Sequence, residues 1–410
     1  MYTCCLYSHS LTSRRLLAVL FAFVLAVLSS TAAYSVDNLQ GLPGYPADAN
    51  NVTVAAYYFP QWHLDPANAI NKGRPWSEWE KIKIAKPRFP GHAQPKIPLW
   101  GYQMEDSPDV MAQKIDAAAS HGVNAFIFDW YYHESGPYLE GALDNGFLKA
   151  VNRDRIHFAV MWANHKLRDE PGEVSANTFK KISDHLVADY FTNPAYWKID
   201  GKPYFSIYEI GTFITGMGGI QNARDALDYL RARSIASGLK GIHLNVVDWQ
   251  IRNRPDAAKL LRILGADSVT SYTWVHHVPL KQFGFPTVEY MDVADRYFTY
   301  ASLAKEKYGV PFYPNVTMGW DHTPRMKADQ PHDGRGYPNT PVIVGNTPQR
   351  FMRVLQQVKM DLDASLPSAR IITINAWNEW GEGAYLEPDT VTGMGYLNAI
   401  QNVFGSVVVP

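Results

Sequence analysis

Two glutamates three residues apart, Glu379 and Glu382, stand in the most chemically loaded stretch of this 410-residue chain, IITINAWNEWGEGAYLEPD over 371–389. At that spacing two carboxyl groups share one face if the chain turns helically. Hydrolysis of a glycosidic bond needs such a pair flanking it, one of them raised in pKa to protonate the leaving oxygen. Trp377 and Trp380 can supply apolar walls that raise a carboxyl, and Gly381 and Gly383 let the backbone bend or approach a ligand closely. The run Ile371, Ile372, Thr373, Ile374 has the composition of a strand buried on both faces. A buried strand does not hold Asn375, Asn378 and three carboxylates without partners, so the change of character marks a strand end. Glu387, just before Pro388, is expected to be structural or rim-lining and outside the catalytic pair.

The upstream chain reads as the scaffold that brings other side chains to this point. Strands are expected over 52–59, 125–130, 157–162, 203–207, 243–247, 268–272, 312–316 and 371–374. Between and after them, helical spacing falls on 108–121, 139–151, 175–190, 223–237, 255–264, 288–308, 348–366 and 394–403. Eight strands, each followed by a helix, predict an α/β fold, a single (β/α)8 TIM-type barrel over 52–410 with a long loop at 64–104. A doubly wound open sheet is the alternative, but no Gly-rich phosphate fingerprint follows the first strand.

A barrel carries its chemistry at the C-terminal strand ends. Those ends supply Tyr58, Trp62 and His63, then Asp129, Trp130 and Tyr131, then Trp162, Asn164 and His165. Glu209, Asp248, Tyr272, Trp274, Trp320 and Asn378 follow at later ends. Aromatic faces stack on pyranose rings while carboxylates, amides and imidazoles bond hydroxyls, so these residues are the candidate sugar contacts. Asp129, Glu209 and Asp248 read equally as buried structural acids. The loop at 64–104 carries Trp76, Glu78, Trp79, Lys81, Lys86, Arg88, His92 and Trp100 and reads as facing substrate. His276, His277 and His322 lack the spacing of a metal site, and neither a metal nor an organic cofactor is expected.

Composition narrows the class. Hydrophobic residues make up 46% and charged ones 19%, which is globular and excludes a disordered or fibrous chain. Arg14 and Arg15 before an apolar run over 16–28 and then small residues predict a cleaved signal peptide over 1–35, with a short lead over 36–51. The apolar core is too short to span a bilayer, and the expected location is secreted or periplasmic. Both cysteines, Cys4 and Cys5, fall in the cleaved part, which excludes disulfides and thiolate chemistry afterwards. With 38 basic against 39 acidic residues there is no electrostatic footprint for nucleic acid or an anionic membrane, and a carbohydrate partner fits better.

Five stretches taken together resemble WbsX-like proteins and the endo-α-mannosidases of glycoside hydrolase family 99. They are YYFPQWH (57–63), SEWEKIKIAKPRFPGHAQPKIP (77–98), FDWYYH (128–133), MWANH (161–165) and WNEWGEGAYLEPD (377–389). The family motif Glu-Trp-x-Glu falls on Glu379, Trp380, Gly381 and Glu382. The resemblance implies that Glu382 is general acid and later base, while Glu379 deprotonates the 2-hydroxyl that attacks the anomeric carbon, with net retention. Two places depart from it, Gly381 where the mannosidases carry His, and Lys166 and Arg168 after the Asn164–His165 pair. The expected function is a secreted glycoside hydrolase acting on a polysaccharide or glycan. A polysaccharide lyase, with Lys166, Arg168 and the Lys81, Lys86, Arg88 group holding a uronate, a glycosyltransferase and a non-catalytic carbohydrate-binding barrel are the alternatives.

Overall fold

The computed structural model describes residues 52–167, 170–364 and 370–405. The expected signal peptide and lead lie outside them. Short runs of β-branched and aromatic residues, buried on both faces, build a nearly closed parallel barrel with helices outside it. Its strands are β1 (Thr53–Tyr58), β2 (Ala125–His133), β3 (His157–Trp162), β4 (Lys202–Ile207), β5 (His243–Val247), β6 (Ser268–Thr270), β7 (Phe312–Tyr313), β8 (Asn315–Thr317) and β9 (Ile371–Asn375). Neighbours in sequence pair in parallel, with Ala55 opposite Ala125, Phe126 opposite Phe158 and Val160 opposite Phe205. β1 returns to β9 through Thr53 opposite Ile371.

Where eight strands are expected the ring has nine, because the seventh is broken at Pro314. Proline has no N–H to give a ladder. β7 therefore pairs back to β6, β8 pairs forward to β9, and the Pro314 carbonyl still accepts from Thr373 N at 3.0 Å. Polar side chains bond across the ring interior, including Thr270 Oγ1 with Thr373 Oγ1 at 3.1 Å and Ser206 with Asn245 at 2.8 Å. These buried groups are satisfied by one another, so they do not compete with the site above them.

Outside the ring stand α1 (Pro108–Ser120), α2 (Ala176–His185), α3 (Ile220–Ala236), α4 (Ala257–Leu264), α5 (Tyr290–Lys307), α6 (Pro348–Asp363) and α7 (Gly395–Phe404). The start of α6 combines a Thr347 side-chain cap on Arg350 N with Pro348 in the first turn. The helix expected over 139–151 is instead a π-turn at Ala142–Gly146 followed by a 3-10 turn at Phe147–Lys149. A side chain at Gly146 would meet the Glu105 carbonyl, and one at Gly141 would meet His63, so this segment is pressed against the barrel and distorted. β2 runs three residues past its expected end and turns back to pair with Gly136–Tyr138.

Candidate active site

After β9 the chain pairs Asn378–Glu379 with Ala384–Tyr385 around a 3-10 turn at Trp380–Glu382. Residues three apart eclipse in such a turn. Glu379 and Glu382 thus come to one side, where a single guanidinium touches both. Arg325 Nη1 donates to Glu382 at 2.6 Å, Nη2 to Glu379 at 3.2 Å and Nε to Glu78 at 3.1 Å. His322 Nε2 lies 2.9 Å from the same Glu382 oxygen that Arg325 holds.

Asp321 sets the turn that carries His322 and Arg325. Its carboxylate accepts from Gln94 Nε2 at 2.6 Å and Thr323 Oγ1 at 2.6 Å and meets His92 Nε2 at 2.8 Å, while its N–H donates to the Glu382 carbonyl. Burial would raise Asp321, but these donors outweigh it and hold it at about 2. Gly383, at φ +66°, has no room for a side chain beside Asp321. The loops after β8 and β9 are therefore locked together.

The underside of the β9 loop is anchored as firmly. Asn378 accepts from Phe59 N and donates to Phe59 O and to Glu105, and Trp377 and Trp380 both donate to Glu387. Lys114 of α1 ties Glu387 to Glu105. Burial and the neighbouring Glu387 push Glu105 up to about 7, against the pull of Lys114. Glu387 is structural, as its place before Pro388 suggests.

Above this platform opens a cavity of about 900 Å³. Of the sequence candidates it is lined by Glu379, Glu382, Asp129, Tyr131, His165, Tyr272 and Trp320. Tyr272 donates to Asp129 at 2.8 Å, and burial raises Asp129 well above the ordinary aspartate range. Burial also lowers His165 to about 4 and His276 to about 3, so both rings face the cavity uncharged at neutral pH.

Ten other candidates do not line it. Tyr58 donates to Met111, Trp62 packs on Trp79 and donates to the Asn378 carbonyl, and His63 lies against Gly141. Trp130 and Trp162 turn outward to Glu140 and the Tyr132 carbonyl. Asn164 brackets the backbone of Glu209, whose carboxylate takes the Thr212 hydroxyl. Asp248 is buried with Tyr300 and His277, Trp274 donates to the Asn315 carbonyl, and Asn378 is part of the platform. Residues at a strand end alternate between lumen and wall, so half of any such set points away from the site.

Arg325 and Tyr337 carry no sequence motif and are found only in the structure, while His322, His276 and Tyr208 stand at strand ends and join the lining from outside the candidate sugar contacts. The signal for Arg325 was Gly381, whose missing side chain leaves a space that something must fill. In the loop at 64–104, Glu78 and Lys81 face the cavity. Arg88 instead bonds the carbonyls of Met326, Lys327, Ala328 and Gln330. No group of three metal-binding side chains occurs among the described residues.

The family model described as Glycosyltransferase WbsX matches residues 54–400, which takes in the barrel and both glutamates. The chain belongs to the WbsX family. A curated relative, the uncharacterized protein WxcX of Xanthomonas campestris pv. campestris (strain B100), is 29% identical over 363 residues, 85% of this chain and 49% of the relative. The chain thus spans about half the length of the curated relatives it matches. Among solved structures, the family 99 endo-α-mannosidase of Bacteroides thetaiotaomicron superposes with a TM-score of 0.54 at 16% identity, covering 85% of this chain and 95% of that one. A structure described as a glycoside hydrolase-like protein gives 0.53 at 16% identity, over 87% and 94%. At such identities the likeness is one of fold, and it matches the WbsX-like, family 99-like barrel that the motifs imply.

Proposed function

We propose that this WbsX-family chain is a glycosidase that cleaves a glycosidic bond in a polysaccharide or glycan, with Glu379 and Glu382 as the carboxyl pair. The observation that carries the reading is the meeting of two buried glutamates on one guanidinium at the wall of one cavity. Burial, then the charge of Glu382, raise Glu379 well above the ordinary range against the pull of Arg325. Burial would raise Glu382 too, but His322 and Arg325 outweigh it and hold it at about 2. Neighbouring carboxyls pushed in opposite directions supply the acid and the base that cleavage of an acetal needs. Tyr131, Tyr208, Trp249, Tyr272 and Trp320 supply faces for sugar rings and Asp129, His165 and His276 supply polar contacts. The cavity volume suits a short stretch of glycan better than a lone monosaccharide.

The reaction is retaining and assisted by the substrate's 2-hydroxyl in this reading, as the family motif implies, and the protein acts after export. Incubating the purified protein with a panel of polysaccharides, measuring reducing ends and following the product anomer by NMR, tests both points. Release of ends with the starting anomer first is expected. Transfer of sugar from a nucleotide donor, with no release of ends, would instead support the activity that the family model's description carries. An unsaturated product absorbing in the near ultraviolet would make it a lyase.

A further inference from the structure

The cavity wall across from the glutamates has a pattern of its own. In the order of the ring β4 and β5 stand farthest from β9, and the wall there is made by the segments that leave β3, β4, β5 and β6. Each of them contributes one ring to a continuous arc. His165 meets Tyr208 at 5.6 Å between centroids, Tyr208 meets Trp249 at 5.7 Å and Trp249 meets His276 at 5.4 Å. All four line the cavity and are only half-buried, so the arc is open to a ligand. A lysine stands at either end of it. Lys166 follows His165 directly, and Lys281 lies in the short turn Leu280–Gln282 that comes after His276. Both lysines line the cavity, both are exposed, and neither has an ion-pair or hydrogen-bond partner among the described residues.

An exposed lysine ordinarily needs nothing but water. These two differ in their surroundings. The acids of the lining are engaged elsewhere, since Arg325 bonds Glu78, Glu379 and Glu382 and Tyr272 donates to Asp129. The third lysine of the lining, Lys81, is itself held by Glu78 at 3.1 Å. Burial keeps His165 and His276 uncharged at neutral pH, so the arc adds no charge. The wall therefore presents aromatic faces between two uncompensated positive charges, in a chain whose 38 basic and 39 acidic residues otherwise balance. A neutral glycan would use the rings and leave the charges idle. A glycan with acidic groups uses both, because the rings can stack on pyranose faces while an ammonium attracts any anion as a point charge. A cleft lined by one sign of charge also draws in a ligand of the other sign.

We propose that this arc is a subsite for an anionic sugar, and that the natural substrate is an acidic glycan whose carboxylate, sulfate or phosphate groups are met by Lys166 and Lys281. The cleavage of that glycan rests on the glycosidase reading above, but its binding does not.

The test uses the purified protein and anionic polysaccharides, each paired with a neutralised copy of itself: a polyuronate with its carboxyl-reduced form, a sulfated glycan with its desulfated form and a phosphorylated glycan with its dephosphorylated form. Reducing ends report cleavage and affinity gel electrophoresis reports binding. At least one anionic polymer should be cut and held, with both signals falling about tenfold or more in its neutral copy, and the arm that falls names the anion. On that polymer Lys166→Ala and Lys281→Ala should each raise KM about 2- to 5-fold, and the double variant about 5- to 25-fold, with kcat far less affected. Added salt should raise the parent's KM, and the double variant should lose most of that dependence, which a merely structural role for the lysines would not produce. Lys166→Arg and Lys281→Arg should keep it. Neutral copies cut and held as well as their anionic parents, a KM and salt dependence unmoved in the double variant, or a panel in which no anionic polymer is cut or held would each overturn the proposal, and cleavage of neutral glycans would leave the glycosidase reading standing. Lysine-dependent binding of an anionic polymer with no release of ends would uphold the subsite and overturn the glycosidase reading instead.

Discussion

Two clusters of glutamates and a cation lie on opposite sides of one segment, 377–387. Beneath it, Lys114 holds Glu105 and Glu387, and Asn378, Trp377 and Trp380 fill their remaining acceptor sites. Above it, Arg325 holds Glu78, Glu379 and Glu382, yet Glu379 has only long contacts and Glu382 Oε2 takes no hydrogen bond from any described residue. The lower cluster is sealed and every carboxylate oxygen in it is bonded. The upper one faces a cavity with acceptor capacity to spare. Both hold more carboxyls than their cation can neutralise, so charge count does not separate scaffold from site. Saturation of hydrogen bonds does: a finished network rigidifies, while an unfinished one at a cavity wall is left for a substrate to complete.

If that distinction is right, the largest effects fall on turnover above the segment. Either Glu379→Gln or Glu382→Gln should lower turnover of a good natural substrate by about 10² to 10⁴-fold, and Glu379→Gln should leave the thermal midpoint unchanged or raised because a poorly compensated buried carboxyl is gone. A fall in midpoint with turnover preserved would make the upper cluster scaffold as well.

Below the segment the same kind of change should act on stability. Lys114→Met strands two buried carboxylates and should cost about 3 to 5 kcal/mol in denaturant unfolding. A variant as stable as the parent but catalytically dead would place Lys114 in the chemistry instead.

The sealed cluster also has a pH signature. Glu105 is raised from 4.5 to about 7, so the folded state holds its proton more tightly than the unfolded one. Its contribution favours folding at low pH and is lost as pH rises from about 4.5 to about 7, a change on the order of 1 to 3 kcal/mol. Glu105→Gln should remove this slope from unfolding curves taken across that range. Glu382, lowered from 4.5 to about 2, acts oppositely, and its contribution is present above pH 4.5 and lost as pH falls toward 2. A comparable effect is expected of Trp380→Phe. It keeps the ring stacked on Tyr385 and removes one donor to Glu387, for about 1 to 3 kcal/mol of stability and little change in KM.

Much of the fold was legible because buried strands announce themselves. The runs at β1, β5 and β9 lie within a residue or two of their expected bounds, and α6 begins where Pro348 places it. The 139–151 segment was not legible, since its helical spacing carries no sign that Gly141 and Gly146 press against His63 and Glu105. At the site, Glu379, Glu382, Asp129, Tyr131, His165, Tyr272 and Trp320 reach the cavity from the expected strand ends. Trp62, Trp274 and Asn378 show the limit of that reading. Each stands at a strand end beside a cavity-lining neighbour, but its polar atom is claimed by backbone or by Glu105.

The sequence by itself determined the barrel, the strand end that carries the glutamate pair and the WbsX resemblance, because strand periodicity and motif spacing are local properties of a chain. Which acids are support and which face substrate was decided only by the tertiary structure. Lys114 reaches Glu387 across 273 positions and Arg325 reaches Glu382 across 57, and no local pattern records where such side chains meet or which hydrogen bonds they leave unmade.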